Sequence, residues 1–258
     1  MPGLPCFAVL QYAGQGFQGW QKQRAARTVQ GELERVLERL VGRRVVTHAA
    51  GRTDAGVHAI GQVASFQVPA RWQPEELLRA LNALLPPDVW VDRVGRSPAG
   101  FHARRSATGR AYRYVVGCDR ASASPFRRPF EWALGLPLDD RLLHGSAEAF
   151  LGEHDFRSFS AVGQDKPHYR CVITRAEWQA RERGQGFIFH VEADRFLHRM
   201  VRFLVGTMVD VARGRRPVGD VAQLLSVRDN AGASPPAPPE GLYLMHVRYP
   251  TIDEGAQP

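Results

Sequence analysis

The spacing of apolar and polar positions predicts a chain of mixed helices and strands. Between Val29 and Val41 apolar residues recur every three or four positions, which is typical of an amphipathic helix, and Thr28 stands at its N-cap. A second helix is predicted at Pro74–Leu85, with proline in its first turn. Short apolar runs bounded by turn residues predict four strands in this part of the chain: Cys6–Tyr12, Arg44–Ala49, Gly61–Val68 and Val89–Val94.

A similar order of elements is predicted for the rest of the chain. The predicted helices are Leu138–Leu151, Phe196–Arg213 and Val218–Val227, and the predicted strands are Arg110–Gly117, Tyr169–Glu182, Gly186–Ala193 and Leu242–Tyr249. Apart from the additional short helix, each half follows the order βαββαβ.

This repeated order predicts an α+β fold. We expect two ferredoxin-like βαββαβ halves with antiparallel sheets, helices packed on one face and an active-site cleft between the halves. The N-terminal half is expected at residues 1–100 and the C-terminal half at 101–258, with the boundary near Arg96–Thr108. The sequence similarity between the halves is too weak to support a duplication, which depends on element order alone.

The charge of the chain suggests a polyanionic partner. The net charge is +8, and Lys22 and Lys166 are the only lysines among 34 basic residues. Arginine binds phosphate with two parallel hydrogen bonds and stacks on bases. GC-rich coding would produce the same arginine bias, so charge alone only favours nucleic acid.

Cysteine usage and hydropathy indicate a cytoplasmic protein. Cys6, Cys118 and Cys171 are far apart and lack metal-ligand spacing, which is typical of buried thiols in a reducing compartment. The first residues lack the charged and apolar regions of a secretory signal. No run reaches the ~18 apolar residues of a membrane span, so no membrane association is expected.

Two common types of site are disfavoured by the sequence. Gly14–Gly19 has the spacing GxGxxG of a dinucleotide-binding loop, but the next predicted helix begins only at Val29 instead of on the glycines. The nine histidines are scattered, and pairs such as His154 with Asp155 do not form a closed ligand set. We therefore expect neither a nicotinamide or flavin site nor a metal.

The most informative motif is Gly51–Ala59, which reads Gly-Arg-Thr-Asp-Ala-Gly-Val-His-Ala between two predicted strands. Two glycines let the backbone turn tightly, and Arg52 and Asp54 are the charged side chains that this loop presents. A tight turn in which Asp54 caps neighbouring amides would also explain the pattern.

The amino-acid sequence of this loop closely resembles that of the active-site loop of the tRNA pseudouridine synthase A family. The resemblance continues in an opening segment within Tyr12–Glu34, a central segment within Gly100–Tyr114, the stretch Phe196–Gly206 and a closing loop at Ala237–Leu242. Two residues depart from the pattern. Ala13 replaces the usual aspartate, and Arg105 stands where an aromatic residue is common.

The resemblance implies a role for each matching residue. Asp54 would be the essential carboxylate, Tyr112 would stack on the flipped base, and Arg202 would face the carboxylate. Substrate binding is expected at Tyr112 and at three residues of the loop, namely Arg52, Thr53 and His58. The implied reaction isomerises uridine to pseudouridine at positions 38, 39 and 40 of the tRNA anticodon stem-loop by base flipping, without metal or cofactor.

The family also implies a homodimer that binds tRNA across both subunits. Two other functions stay open at this point. A non-catalytic protein that binds structured RNA would have the same charge, and a carboxylate hydrolase would need a second carboxylate, which Asp155 or Asp194 could supply. Whether Asp54 attacks C1′ or C6, or removes the 2′ proton, also stays open.

Overall fold

The computed structural model describes residues 3–161, 168–227 and 229–250. Within these ranges the protein is a mixed α/β structure of ten strands and five α-helices. The described residues form two compact units. The first comprises residues up to Thr108 together with those from Leu244 onward, and the second comprises those between Gly109 and Tyr243.

The first unit has a sheet in which β1 is central. Its elements are β1 (Leu4–Tyr12), α1 (Val29–Val41), β2 (His48–Ala49), β3 (His58–Val68), α2 (Pro74–Leu84) and β4 (Val89–Arg96). Strand β1 pairs antiparallel with β3 and with β4, and β2 pairs with β3. Strand β3 also neighbours β10 (Leu242–Arg248), so the last strand among the described residues completes the first unit.

Helix α1 forms as the sequence predicts. The Thr28 side chain accepts a hydrogen bond from the amide N–H of Gly31 at 3.2 Å, and Gly42 is the C-cap. One face of the helix is fully buried, at Val29, Leu33, Val36 and Leu37. The predicted start, end and N-cap of this helix are therefore confirmed.

The second unit has a sheet with the order β5-β9-β8-β7. Its strands are β5 (Gly109–Gly117), β6 (Trp132–Ala133), β7 (Gly152–Asp155), β8 (Arg170–Ala180) and β9 (Gly186–Ala193). Its helices are α3 (Asp140–Glu148), α4 (Met200–Ala212) and α5 (Asp220–Val227). Strand β6 lies parallel to β5, and Phe150, Phe156 and Phe159 form part of the core with no exposed surface.

Several predicted bounds are wrong. The strand expected at Arg44–Ala49 has only two paired residues, because the chain before His48 does not join the sheet. Helix α4 begins at Met200 instead of Phe196, because Arg199 has a left-handed backbone with φ of 61°. Strands β6 and β7 were not predicted.

In the part of the chain that the structure describes, we find no helix with the length and apolar character needed to cross a membrane.

Candidate active site

The Gly51–Ala59 motif forms a loop that enters β3 at His58, within the first unit. Its backbone is held by the opening segment of the chain. The amide N–H of Trp20 donates to the Thr53 carbonyl at 3.0 Å, and that of Gly56 donates to the Phe17 carbonyl at 3.4 Å. These main-chain contacts fix the loop on both sides of Asp54.

Two glycines allow the opening segment to approach the loop so closely. A Cβ atom on Gly14 would lie 2.1 Å from the Val57 carbonyl oxygen. A Cβ atom on Gly19, whose φ is 82°, would lie 2.6 Å from the Thr53 carbonyl oxygen. The first and last glycines of the GxGxxG pattern therefore pack against the loop.

Buried side chains support the loop from the sheet. The Thr53 hydroxyl lies 2.9 Å from the Tyr12 hydroxyl, and both residues are buried. The Gln62 side-chain amide donates to the Tyr12 hydroxyl at 3.3 Å and to the Gly51 carbonyl at 2.8 Å. This connected set of polar groups fixes the start of the loop.

The charged and titratable residues of the loop differ in exposure. Arg52 is exposed and Asp54 is half-buried, while His58 is only 2% exposed. The Asp54 carbonyl accepts from the Val57 amide at 3.2 Å, which closes a turn around Ala55. His58 Nδ1 accepts from the Gly14 amide at 3.1 Å, so the neutral ring carries its proton on Nε2.

Tyr112 lies in the second unit, on β5 opposite Val191 of β9. Its side chain is half-buried. The Phe196 ring meets it edge-on with 4.9 Å between ring centroids, a favourable aromatic geometry that holds the tyrosine in place.

Arg202 also lies in the second unit, in the first turn of α4, and it is half-buried. Its Nε–H donates to the Ala237 carbonyl at 2.6 Å. The Ala237 amide N–H in turn donates to the Arg202 carbonyl at 2.9 Å. The closing loop is thus attached to the helix at this residue, and the contact orients the guanidinium group.

Tyr114 holds the closing loop at a second point. Its hydroxyl donates to the Pro238 carbonyl at 2.6 Å, and the side chain has no exposed surface. Burial raises the pKa of Tyr114 well above its usual value, while the nearby Arg202 charge opposes that rise and Glu240 adds to it. Tyr114 is therefore a neutral structural residue, distinct from the half-buried Tyr112.

The described residues contain no group of three or more His, Cys, Asp or Glu side chains placed to hold a metal ion. Possible ligand pairs in the sequence, such as His154 with Asp155, have no third ligand beside them among these residues. His154 Nε2 instead lies 2.8 Å from the Leu151 carbonyl.

Comparison with known proteins gives consistent matches. The family model described as tRNA pseudouridine synthase matches residues 8–104 and 146–250. Asp54 and Arg202 lie within these ranges, and Tyr112 lies between them. Three curated relatives of this chain are each named tRNA pseudouridine synthase A.

The relatives are similar over nearly their full length. The Myxococcus xanthus protein is 42% identical over 240 residues, which cover 93% of this chain and 90% of the relative. The Acidiphilium cryptum protein is 42% identical over 243 residues, with 93% and 94% covered. The Moorella thermoacetica protein is 40% identical over 249 residues, with 95% and 100% covered.

Proposed function

Because this chain belongs to the tRNA pseudouridine synthase family and is therefore an isomerase, we propose that it converts uridine to pseudouridine at positions 38, 39 and 40 of the tRNA anticodon stem-loop. The observation that carries the proposal is the loop around Asp54. Its motif matches the family, and its backbone is held by the opening segment through Trp20 and Phe17.

The proposed reaction is an intramolecular exchange of bonds. The bond between uracil N1 and ribose C1′ breaks, the base turns, and a bond between C5 and C1′ forms. The proton on C5 leaves to solvent and N1 takes up a proton, so the composition of the RNA does not change. No cofactor or energy source is needed, although extruding the base costs roughly a few kcal/mol of unstacking.

Asp54 is the proposed essential carboxylate. Its half-buried position on a loop with fixed backbone suits a group that must keep one direction relative to the flipped nucleotide. Attack on C1′, attack on C6 and removal of the 2′ proton are all compatible with one carboxylate.

Tyr112 and Arg202 are proposed to act on the same uridine, as the family resemblance implies. Tyr112 offers a partly exposed ring that Phe196 holds edge-on, which suits stacking on a base. Arg202 offers a guanidinium oriented through its Nε, which suits pairing with a carboxylate.

The remaining loop residues are proposed to support substrate binding, Arg52 directly and the other two indirectly. Arg52 is exposed and is proposed to contact RNA phosphate directly or to fill the vacated base stack. Thr53 and His58 are buried, so they are proposed to contribute by fixing the loop.

Three broader proposals accompany the activity. The two halves are proposed to be related ferredoxin-like units, a view supported by the order β1-α1-β2-β3-α2-β4 in the first unit. A homodimer that binds tRNA across both subunits is proposed from the family resemblance. A cytoplasmic location is proposed because tRNA is the substrate.

Tritium release tests the activity. The protein is mixed with tRNA labelled at uracil C5, without added cofactor, and tritium in water is measured. We expect release from the parental tRNA and none from a transcript with cytidine at positions 38, 39 and 40. If the protein binds tRNA but releases no tritium, it is instead a non-catalytic RNA-binding protein.

A further inference from the structure

A tight turn at His102–Ser106 places two arginines beside an imidazole ring in the first unit; we call it the His102 turn. The His102 amide donates to the Ser106 hydroxyl at 3.1 Å, and the Ser106 amide donates to the His102 carbonyl at 2.9 Å. His102 Nδ1 accepts from the amides of Arg104 and Arg105 at 3.2 and 3.4 Å. The ring therefore fixes the backbone of the turn.

The His102 turn is attached to the core through Ala103, which has no exposed surface. The Ala103 amide donates to the Ser65 hydroxyl at 3.1 Å, and its carbonyl accepts from the Tyr249 hydroxyl at 2.7 Å. The same Ser65 hydroxyl donates to the His48 carbonyl at 3.5 Å. The turn is thus held rigidly against β2 and β3.

Two imidazole rings stack at this place. His48 and His102 lie with ring centroids 4.7 Å apart and an angle of 28° between their planes. Burial lowers the pKa of His102, and the charges of His48, Arg105 and Arg104 lower it further. Since His102 Nδ1 is an acceptor, the neutral ring carries its proton on Nε2, where it can donate to an anion.

Arg105 places a positive charge on this turn. Its side chain is exposed, and its charge acts on His102. Because the backbone of the turn is already fixed, phosphate binding by Arg105 would restrict the side chain but would not have to order the backbone as well.

We propose that the His102 turn is an additional binding site for RNA phosphate. Arg105 would form the ionic contact, His102 would donate a hydrogen bond from Nε2, and the stacked rings of His48 and His102 would offer a surface on which a base can stack. The proposal rests on the proposed function in taking tRNA as the ligand.

The proposed site lies away from Asp54. His48 pairs with Ser65, which is seven residues along β3 from His58 at the end of the catalytic loop. At the usual rise of a strand, this separation is about 23 Å. Phosphate bound here would therefore belong to nucleotides other than the target uridine, and the effect on the bond-breaking step would be small.

Binding and rate measurements on Arg105 variants test the site. The variants are Arg105→Ala and Arg105→Phe, with Arg39→Ala on the exposed side of α1 as the matched loss of charge. The Kd of tRNA is measured by filter binding over a range of salt, and the single-turnover rate is measured at saturating tRNA.

We expect both Arg105 variants to weaken tRNA binding by about three- to tenfold and to reduce the salt slope by about one counterion, with an unchanged single-turnover rate. Arg39→Ala should leave both quantities near parental values. Arg105 variants that bind like Arg39→Ala, or that lose rate without losing affinity, would overturn the proposal.

A second readout follows the His102 ring by NMR. Bound phosphate favours the charged imidazole, so added tRNA should raise the pKa of His102 in the parent and raise it less in Arg105→Ala. An unchanged pKa on tRNA binding would also overturn the proposal. Tritium release by the unmodified protein distinguishes the proposed activity from the proposed phosphate site. If that protein releases no tritium but its tRNA affinity depends on Arg105, only the proposed activity is refuted.

Discussion

Arg202 and Ala237 hold each other through two hydrogen bonds that run in opposite directions. The Arg202 Nε–H donates to the Ala237 carbonyl, and the Ala237 amide donates to the Arg202 carbonyl. The side chain thus attaches the closing loop to α4 while its orientation is set at Nε. Lysine has no equivalent of this planar donor group. A lysine at this position would therefore lose both the attachment of the closing loop and the fixed orientation of the charged group.

The first prediction compares two arginines of similar sequence position. Arg202→Lys should lose most activity, about 100-fold or more, because it removes both the Nε contact and the planar fork. Arg199→Lys should lose little, because Arg199 is exposed and precedes α4. Single-turnover rates at matched tRNA occupancy are the measurement, and equal mild losses would mean that Arg202 has no special role.

The second prediction concerns Asp54. Asp54→Asn retains the size and shape of the side chain but removes its charge and its nucleophilic oxygen. Turnover should fall below detection, while tRNA binding, which depends mainly on phosphate contacts, should stay within about threefold of the parent. Tritium release and filter binding measure the two effects. Near-parental pseudouridine formation by the variant would refute the proposed role.

The third prediction concerns the close approach of Gly14 to the loop. Gly14→Ala places a methyl group against the Val57 carbonyl, so we expect a loss of about 1–3 kcal/mol in the free energy of unfolding and a reduced rate. Gly145→Ala is the control, because no atom lies within 4 Å of its added Cβ and it is inside α3. The control should gain about 0.5–1 kcal/mol.

Denaturant unfolding measures both glycine variants, and tritium release measures their activity. If Gly14→Ala unfolds like the parent and retains full activity, the opening segment does not position the loop.

The fourth prediction is independence from metal ions. The described residues hold no group of ligands for a metal. Activity should therefore survive exhaustive chelation, provided that monovalent salt keeps the tRNA folded. Initial rates are compared before and after chelation, and an activity that zinc alone restores would contradict the prediction.

The fifth prediction concerns pH and stability. Because the folded protein lowers the pKa of His102 from its usual 6.5, the unfolded chain binds a proton more readily at this residue. The free energy of unfolding should therefore fall as pH decreases below about 6.5. In His102→Asn, whose amide oxygen can replace the Nδ1 acceptor, this fall should be smaller. Denaturant unfolding at pH 7.5, 6.5 and 5.5 measures it, and parallel profiles would refute it.

The elements with complete local signals could be predicted from the sequence. Helix α1 has a polar N-cap, a glycine C-cap and a regular apolar face, and its bounds are those expected. The start of α4 could not be predicted, since the apolar pattern continues upstream and only the backbone of Arg199 interrupts the helix. Strands of two to four residues, such as β6 and β7, have too few residues for a periodic pattern.

For the candidate site, sequence reasoning found the loop but not its support. The spacing of Gly14 and Gly19 matches a dinucleotide-binding loop, but helix α1 begins only at Val29, as the sequence predicts. Their contact with the loop is long-range, so no local pattern could indicate it. The His102 turn was missed for a related reason, because the stacking of His48 on His102 depends on the pairing of β2 with β3.

The position of β10 affects the order in which the protein can fold during synthesis. Strand β10 completes the sheet of the first unit beside β3, yet residues 109–243 are made between Thr108 and that part of the strand. Strand β3 ends at Val68, and at translation rates of about 5–20 residues per second the synthesis of residues 69–243 takes roughly 9–35 s, during which β3 lacks this neighbour. Until then its unpaired edge can pair with other nascent chains. Protection by chaperones should therefore matter most during synthesis of the second unit.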